Sequence, residues 1–198
     1  MDRTGPDLRT TLLRSAAEVV AKAGVGEVSI RELARQAGVS HAAHRYHFAS
    51  RTGLLTALAA EGHHLLADAL EDAAGESFLD VGVAYVRFAR DHPGHFTVMF
   101  TPDVLDPTDT DLTIARSRTF AVLQNGVQRL AADGELEDAR AAVVAAWSLV
   151  HGFAGLAATG NLAGAGLTDP TAGDDPLDLA RRAAGMLYGS PGRESDHA

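Results

Sequence analysis

Apolar residues recur along this chain with the period of an α-helix, and glycine, proline and aspartate interrupt them. Leu8, Leu12, Leu13, Ala16, Val19, Val20 and Ala23 form one stripe over residues 7–23, stopped by Gly24 and Gly26. Ile30, Leu33, Ala34 and Ala37 then stand at i, i+3, i+4 and i+7 behind Ser29, a residue type that caps helices. Gly38 supplies the left-handed residue of a tight helix–helix turn, Val39 plugs that turn, and Ser40 can cap a short helix over 41–47. Ser50 opens a long helix over 51–74 that carries Leu54, Leu55, Leu58, Leu65, Leu66 and Leu70. Further helices are predicted over 78–90, 112–132, 136–158 and 176–189, the last started by Pro176. His92-Pro93-Gly94 reads as a break and Phe96–Phe100 as a short apolar segment. Residues 101–111 and 159–175 read as loops, and 190–198 as a disordered tail. No period-two pattern persists. The expected fold is all-α: a three-helix helix-turn-helix head over 7–52 and a helical bundle over 53–189.

Charge sharpens that division. The net charge is −9, yet residues 1–56 hold eight basic and five acidic groups, net +3, which leaves −12 for the remainder. A basic head on an acidic body is the asymmetry expected when only the head meets phosphate. Cysteine is absent, so disulfide and thiolate chemistry are excluded. No apolar run reaches the ~20 residues of a membrane span, and the polar N-terminus has no signal-peptide core, so a cytoplasmic protein is expected.

The predicted helix 41–47 is crowded with hydrogen-bonding groups, which suits a helix lying in the major groove of DNA. His41 and Arg45 are i, i+4 neighbours; Arg45 suits a bidentate contact to a guanine edge or a phosphate clamp. Ala42 and Ala43 allow close approach and contact with a thymine methyl, whereas Tyr46 and His47 suit phosphate. Ser29, Ser40 and Arg51 lie at helix N-termini, where backbone N–H groups favour phosphate, and Arg31 joins them on the candidate interface. The serines serve equally as plain helix caps. Phe48 is expected in the core.

In the body, Tyr85, Phe88, Phe96, Met99, Phe100, Phe120, Trp147 and His151 are candidates to line a cavity for a mostly apolar small molecule. Trp147 and His151, at i, i+4, face the same way; the alternative is that these aromatics are simply core. The alanine-rich helix 136–158 and helix 176–189 are suited to an isologous four-helix homodimer interface. His41, His44 and His47, His63-His64 and His92…His95 have poor metal-ligand spacing, so no metal or cofactor is expected. No nucleophile motif or phosphate-cradling glycine loop accompanies His151, so no catalysis is expected.

Val28, Ser29, Leu33, Ala34, Ala37, Gly38, Val39, Ser40, Tyr46, Phe48, Leu54 and Leu55 follow the head pattern of the TetR/AcrR transcriptional regulators, which this sequence resembles. The run 147–152, WSLVHG, resembles the Trp-His-Gly motif of one C-terminal domain class in that family, as do Tyr85–Ala89 and His92–Phe100. The resemblance spans roughly residues 8–188. It implies a dimeric, ligand-responsive repressor that binds a palindromic double-stranded operator and is released by a small-molecule effector. His44 and the order Arg45-Tyr46 depart from the family pattern; a helical small-molecule binder without DNA binding is the alternative.

Overall fold

The structure, a computed structural model, describes residues 8–38, 48–132 and 138–188. Among these residues it holds nine α-helices and no strand, so the fold is all-α as expected. They are α1 Leu8–Ala23, α2 Ile30–Gln36, α3 Arg51–Ala74, α4 Phe78–Asp91, α5 Pro93–Met99, α6 Thr110–Ala132, α7 Ala139–Ala158, α8 Asn161–Gly164 and α9 Pro176–Tyr188. The predicted helix 41–47 and the tail 190–198 lie outside the described residues.

Local chemistry sets the helix ends. Gly24, at φ +87°, follows the last turn of α1, a conformation that costs glycine little. The Ser50 hydroxyl accepts from the Gly53 N–H at 3.0 Å and so caps α3. Asp138 accepts from the N–H groups of Arg140 and Ala141 at 2.9 and 3.1 Å, which starts α7 at residue 139 instead of 136.

Three expectations change. Phe96–Phe100 belongs largely to α5, because Pro93 stands at its first turn, where a missing N–H costs nothing and the fixed φ is already helical. His-Pro-Gly is therefore a helix start as well as a stop. Within 159–175, Gly160 at φ +71° turns the chain into the short α8. Finally, α7 is long and apolar enough, by length and composition, to cross a membrane. Alanine and glycine supply half of that helix, so it carries no long block of bulky apolar side chains.

The chain packs as two compact units, residues 1–68 with 91–121 and residues 69–90 with 122–198. In the first, α1 packs along α5, and Leu12, Leu13, Ala16, Val20, Leu33, Phe48, Leu54, Leu55 and Leu58 are buried. Removing such side chains from water is the main source of stability, roughly 1.5–3 kcal/mol for each large one. In the second, Val83 and Val86 of α4 meet Leu177 and Ala180 of α9, with Val150 and Phe153 of α7 against them. The Phe78 ring lies where a Cβ on Gly126 would have to be, so glycine there lets α6 accept an aromatic ring.

Candidate nucleic-acid interface

The head is held by one side chain reaching back from α3. Arg51 donates through Nε to the Val28 carbonyl at 3.0 Å and through Nη2 to the Val25 carbonyl at 2.5 Å. These two carbonyls belong to the turn that delivers the chain into α2. A half-buried guanidinium satisfying two carbonyls fixes that turn more firmly than neutral bonds do. Below it, Val28, Leu33, Ala34 and Phe48 are buried, and the Arg9 guanidinium stands 5.7 Å from the Phe48 ring centroid.

On α2, Glu32 takes Arg35 in a two-point ion pair, Nε at 2.9 Å and Nη2 at 2.6 Å, and also accepts from Gln36 at 2.9 Å. The bonds from Arg35 and then Gln36 hold the Glu32 carboxyl down to about 2. Ser29 is the N-cap of α2, but its side chain makes no capping bond. Ser29 and Arg31 are both exposed. Gly38 leaves α2 at φ +66°, the left-handed turn that the sequence pattern requires. Ser40, His41, Ala42, Ala43, Arg45, Tyr46 and His47 lie outside the described residues.

The candidate effector residues fall into separate groups. In the second unit, the Tyr85 hydroxyl lies 2.8 Å from His151 Nδ1 and accepts the Trp147 indole N–H at 3.4 Å. Which of the Tyr85 hydroxyl and His151 Nδ1 donates in this bond follows the imidazole tautomer. Burial lowers the pKa of His151; burial also raises that of Tyr85, partly offset by the Trp147 bond. Both aromatic partners meet His151 edge-on at 6.2 Å. Tyr85 and Phe88 are buried, whereas Trp147 keeps 40% of its surface exposed.

In the first unit, the rings of Phe96 and Phe100 stand 5.0 Å apart, Met99 is buried, and Phe120 is exposed. His95 Nε2 lies 3.0 Å from Glu61 and its ring 5.8 Å from that of His92; among the described residues no three such side chains gather as a metal set. Two polar residues of α3 are buried among the described residues, Thr56, whose hydroxyl accepts the Asp106 N–H at 2.9 Å, and His63, 6% exposed. Its Nδ1 lies 3.4 Å from Thr119 Oγ1 of α6, and Phe100 meets its ring edge-on at 6.1 Å. Burial, then the charges of Arg116 and His64, push its pKa down to about 4. The signal was available, since residue 63 lies at i−3 and i−7 from Leu66 and Leu70, on the apolar stripe.

Residues 12–58 match the model of the bacterial regulatory proteins of the tetR family, and residues 78–175 that of the tetracyclin repressor-like C-terminal domain. Among solved structures, a Rhodococcus sp. RHA1 protein of unknown function is 32% identical, with a TM-score of 0.76 over 94% of this chain and 96% of that one. A bacterial regulatory protein in the tetR family from Rhodococcus RHA1 is 24% identical, with a TM-score of 0.68 over 90% of this chain and 93% of that one. The transcriptional regulator FadR from Bacillus subtilis, solved in complex with stearoyl-CoA, is 14% identical and shares the fold, with a TM-score of 0.66 over 91% of this chain and 97% of that one. Curated proteins gave no match. With its head and body each matched by a domain of one family, the chain belongs to the TetR family: it is a transcriptional regulator, not an enzyme, with an N-terminal DNA-binding domain and a C-terminal ligand-binding domain.

Proposed function

We propose that the chain is a homodimeric, cytoplasmic repressor that binds a palindromic operator and is released by a mostly apolar small molecule. The carrying observation is the Arg51 clasp on the Val25 and Val28 carbonyls, which fixes the approach to α2 inside the segment matched to the DNA-binding model. Residues 7–52 act as the DNA head and 53–189 as the effector and dimer body. Ser29, Arg31 and the free N–H groups of Arg51 hold phosphate, while His41, Ala42, Ala43 and Arg45 face base edges and Ser40, Tyr46 and His47 the backbone. The exposed Val144, Trp147 and Leu156 on α7 and Met186 on α9 support a partner-covered face over 136–158 and 176–189. A face that a second copy covers also accounts for the apolar length of α7 without a membrane. Pairing sets the two heads about 34 Å apart, one turn of DNA. An effector that prefers another spacing lowers operator affinity by its preference.

The test is a gel-shift titration on DNA upstream of the protein's own coding region. Retention that falls steeply with salt is expected, with Arg45→Ala weakening binding and relaxing base preference. Unchanged affinity and preference in Arg45→Ala would overturn the assignment of the recognition helix.

A further inference from the structure

The side chain of His63 has one nitrogen that the fold does not use. Nδ1 faces Thr119 Oγ1, and the Thr119 hydroxyl has carbonyl acceptors of its own, His63 O at 3.0 Å and Ala115 O at 3.1 Å. A hydroxyl has one proton, so with that proton on a carbonyl Thr119 meets Nδ1 as an acceptor. Nδ1 must then carry the imidazole hydrogen. Nε2 is left as a bare lone pair, buried, with no hydrogen-bond partner among the described residues. A buried acceptor without a donor costs on the order of 1–3 kcal/mol, and native proteins rarely leave one unmet. Protonation does not relieve it, because burial and Arg116 keep the ring neutral near pH 7.

The surroundings are apolar. Phe100 stands edge-on to the ring, with Phe96 against Phe100. On the neighbouring residue, Gly62, a Cβ would meet the Met99 thioether, so the unbranched, adaptable Met99 side chain packs directly on that glycine. We propose that His63 Nε2 is the polar anchor of the effector, accepting a hydrogen bond from an O–H or N–H group on a neutral, otherwise apolar ligand. The proposal rests on the reading of this chain as an effector-responsive regulator, and it narrows the effector class. An alcohol, phenol or amide satisfies the lone pair. A carboxylate has no proton to give and would face the lone pair with its own.

The experiment uses the full chain, labelled with nitrogen-15 in its histidines, and three probes: para-butylphenol, its methyl ether and para-butylbenzoate. In the free protein, long-range nitrogen–proton spectra should show His63 as the Nδ1–H tautomer. The phenol should shift the Nε2 resonance and bind about tenfold or more tightly than the ether, the ratio that ~1.4 kcal/mol sets, with the benzoate weaker than the phenol. His63→Phe should remove the preference for phenol over ether. Thr119→Val, which leaves the imidazole in place but frees its tautomer, should weaken it. An Nε2–H tautomer in the free protein, equal binding of phenol and ether, a preference that survives His63→Phe, or no binding of any probe would each overturn the proposal. Operator retention is read separately on the same preparations. Its absence with phenol discrimination intact sinks the regulator reading and leaves the His63 anchor standing.

Discussion

Gly94, in the first turn of α5, lies directly against the backbone of Ala17 in α1, so close that a Cβ at position 94 would overlap the Ala17 carbonyl. The obstruction is backbone inside a helix, which cannot swing aside as a side chain would. Gly94→Ala should therefore push α5 off α1 and destabilise the fold by about 1–3 kcal/mol, despite alanine's better helix propensity. Urea unfolding measures this. Gly26→Ala, where an added Cβ meets nothing within 4 Å, is the control and should change little.

Replacing Arg51 tests the clasp on the head. Arg51→Met keeps the stem and removes the bonds to the Val25 and Val28 carbonyls. A loss of about 2–3 kcal/mol is expected, because charged donors bind more strongly than neutral ones and the Val25 carbonyl is left with the Val28 N–H alone. Arg51→Lys should recover only part of it, since an ammonium lacks the two-pronged fork. Thermal unfolding of the three proteins distinguishes these outcomes.

Tyr85 shares one hydroxyl between Trp147 and His151. Tyr85→Phe should cost about 1–2 kcal/mol by removing two hydrogen bonds in a part-buried place. In a Trp147→Phe background the same change should cost less. A double-mutant cycle on denaturation midpoints gives the coupling, and additive losses would contradict the shared hydroxyl.

His63 gives stability a pH dependence of definite sign. Its folded pKa, about 4, lies below the ordinary value of 6.5, so between these values the unfolded chain binds the proton more readily. Stability should fall as pH drops from 6.5 to 4, by about 3 kcal/mol from this residue. His63→Phe should show a shallower decline over that window. Parallel curves for the two proteins would count against a neutral buried imidazole.

The proposed dimer face predicts that a charge at its exposed apolar positions separates the subunits. Val144 on α7 and Met186 on α9 are 62% and 86% exposed in the single chain. Val144→Asp and Met186→Asp, being exposed before association, should leave the helical content intact and shift sedimentation to the monomer at micromolar protein. Loss of operator retention should accompany the shift.

Helix positions were legible because their signals are local. The stripes through Leu12 and Leu13 or Leu54, Leu55 and Leu58 are periodic, and Ser50 bonds its own helix end. The start of α5 was misread because proline is both a terminator and a first-turn residue, and only packing on α1 selects between them. Aromatic residues were recognised as a set, but their grouping depends on which helices meet. No spacing in the sequence reveals that Tyr85 bonds to residues more than sixty positions away. The adjacent pair His63-His64 suggests a metal pair by composition, whereas the place of His63 on the leucine stripe makes it a core residue.

Gly38 carries a consequence for heredity. Its φ of +66° is open to glycine and tolerable for asparagine, and among the described residues no atom lies within 4 Å of an added Cβ, so the penalty for substitution there is conformational. From any glycine codon, asparagine is more than one base change away. Single-base mutations at this codon therefore bring in residues less suited to the turn, among them valine, arginine and glutamate. In a selection for derepressed colonies, codon 38 should recur among the hits through the turn it forms.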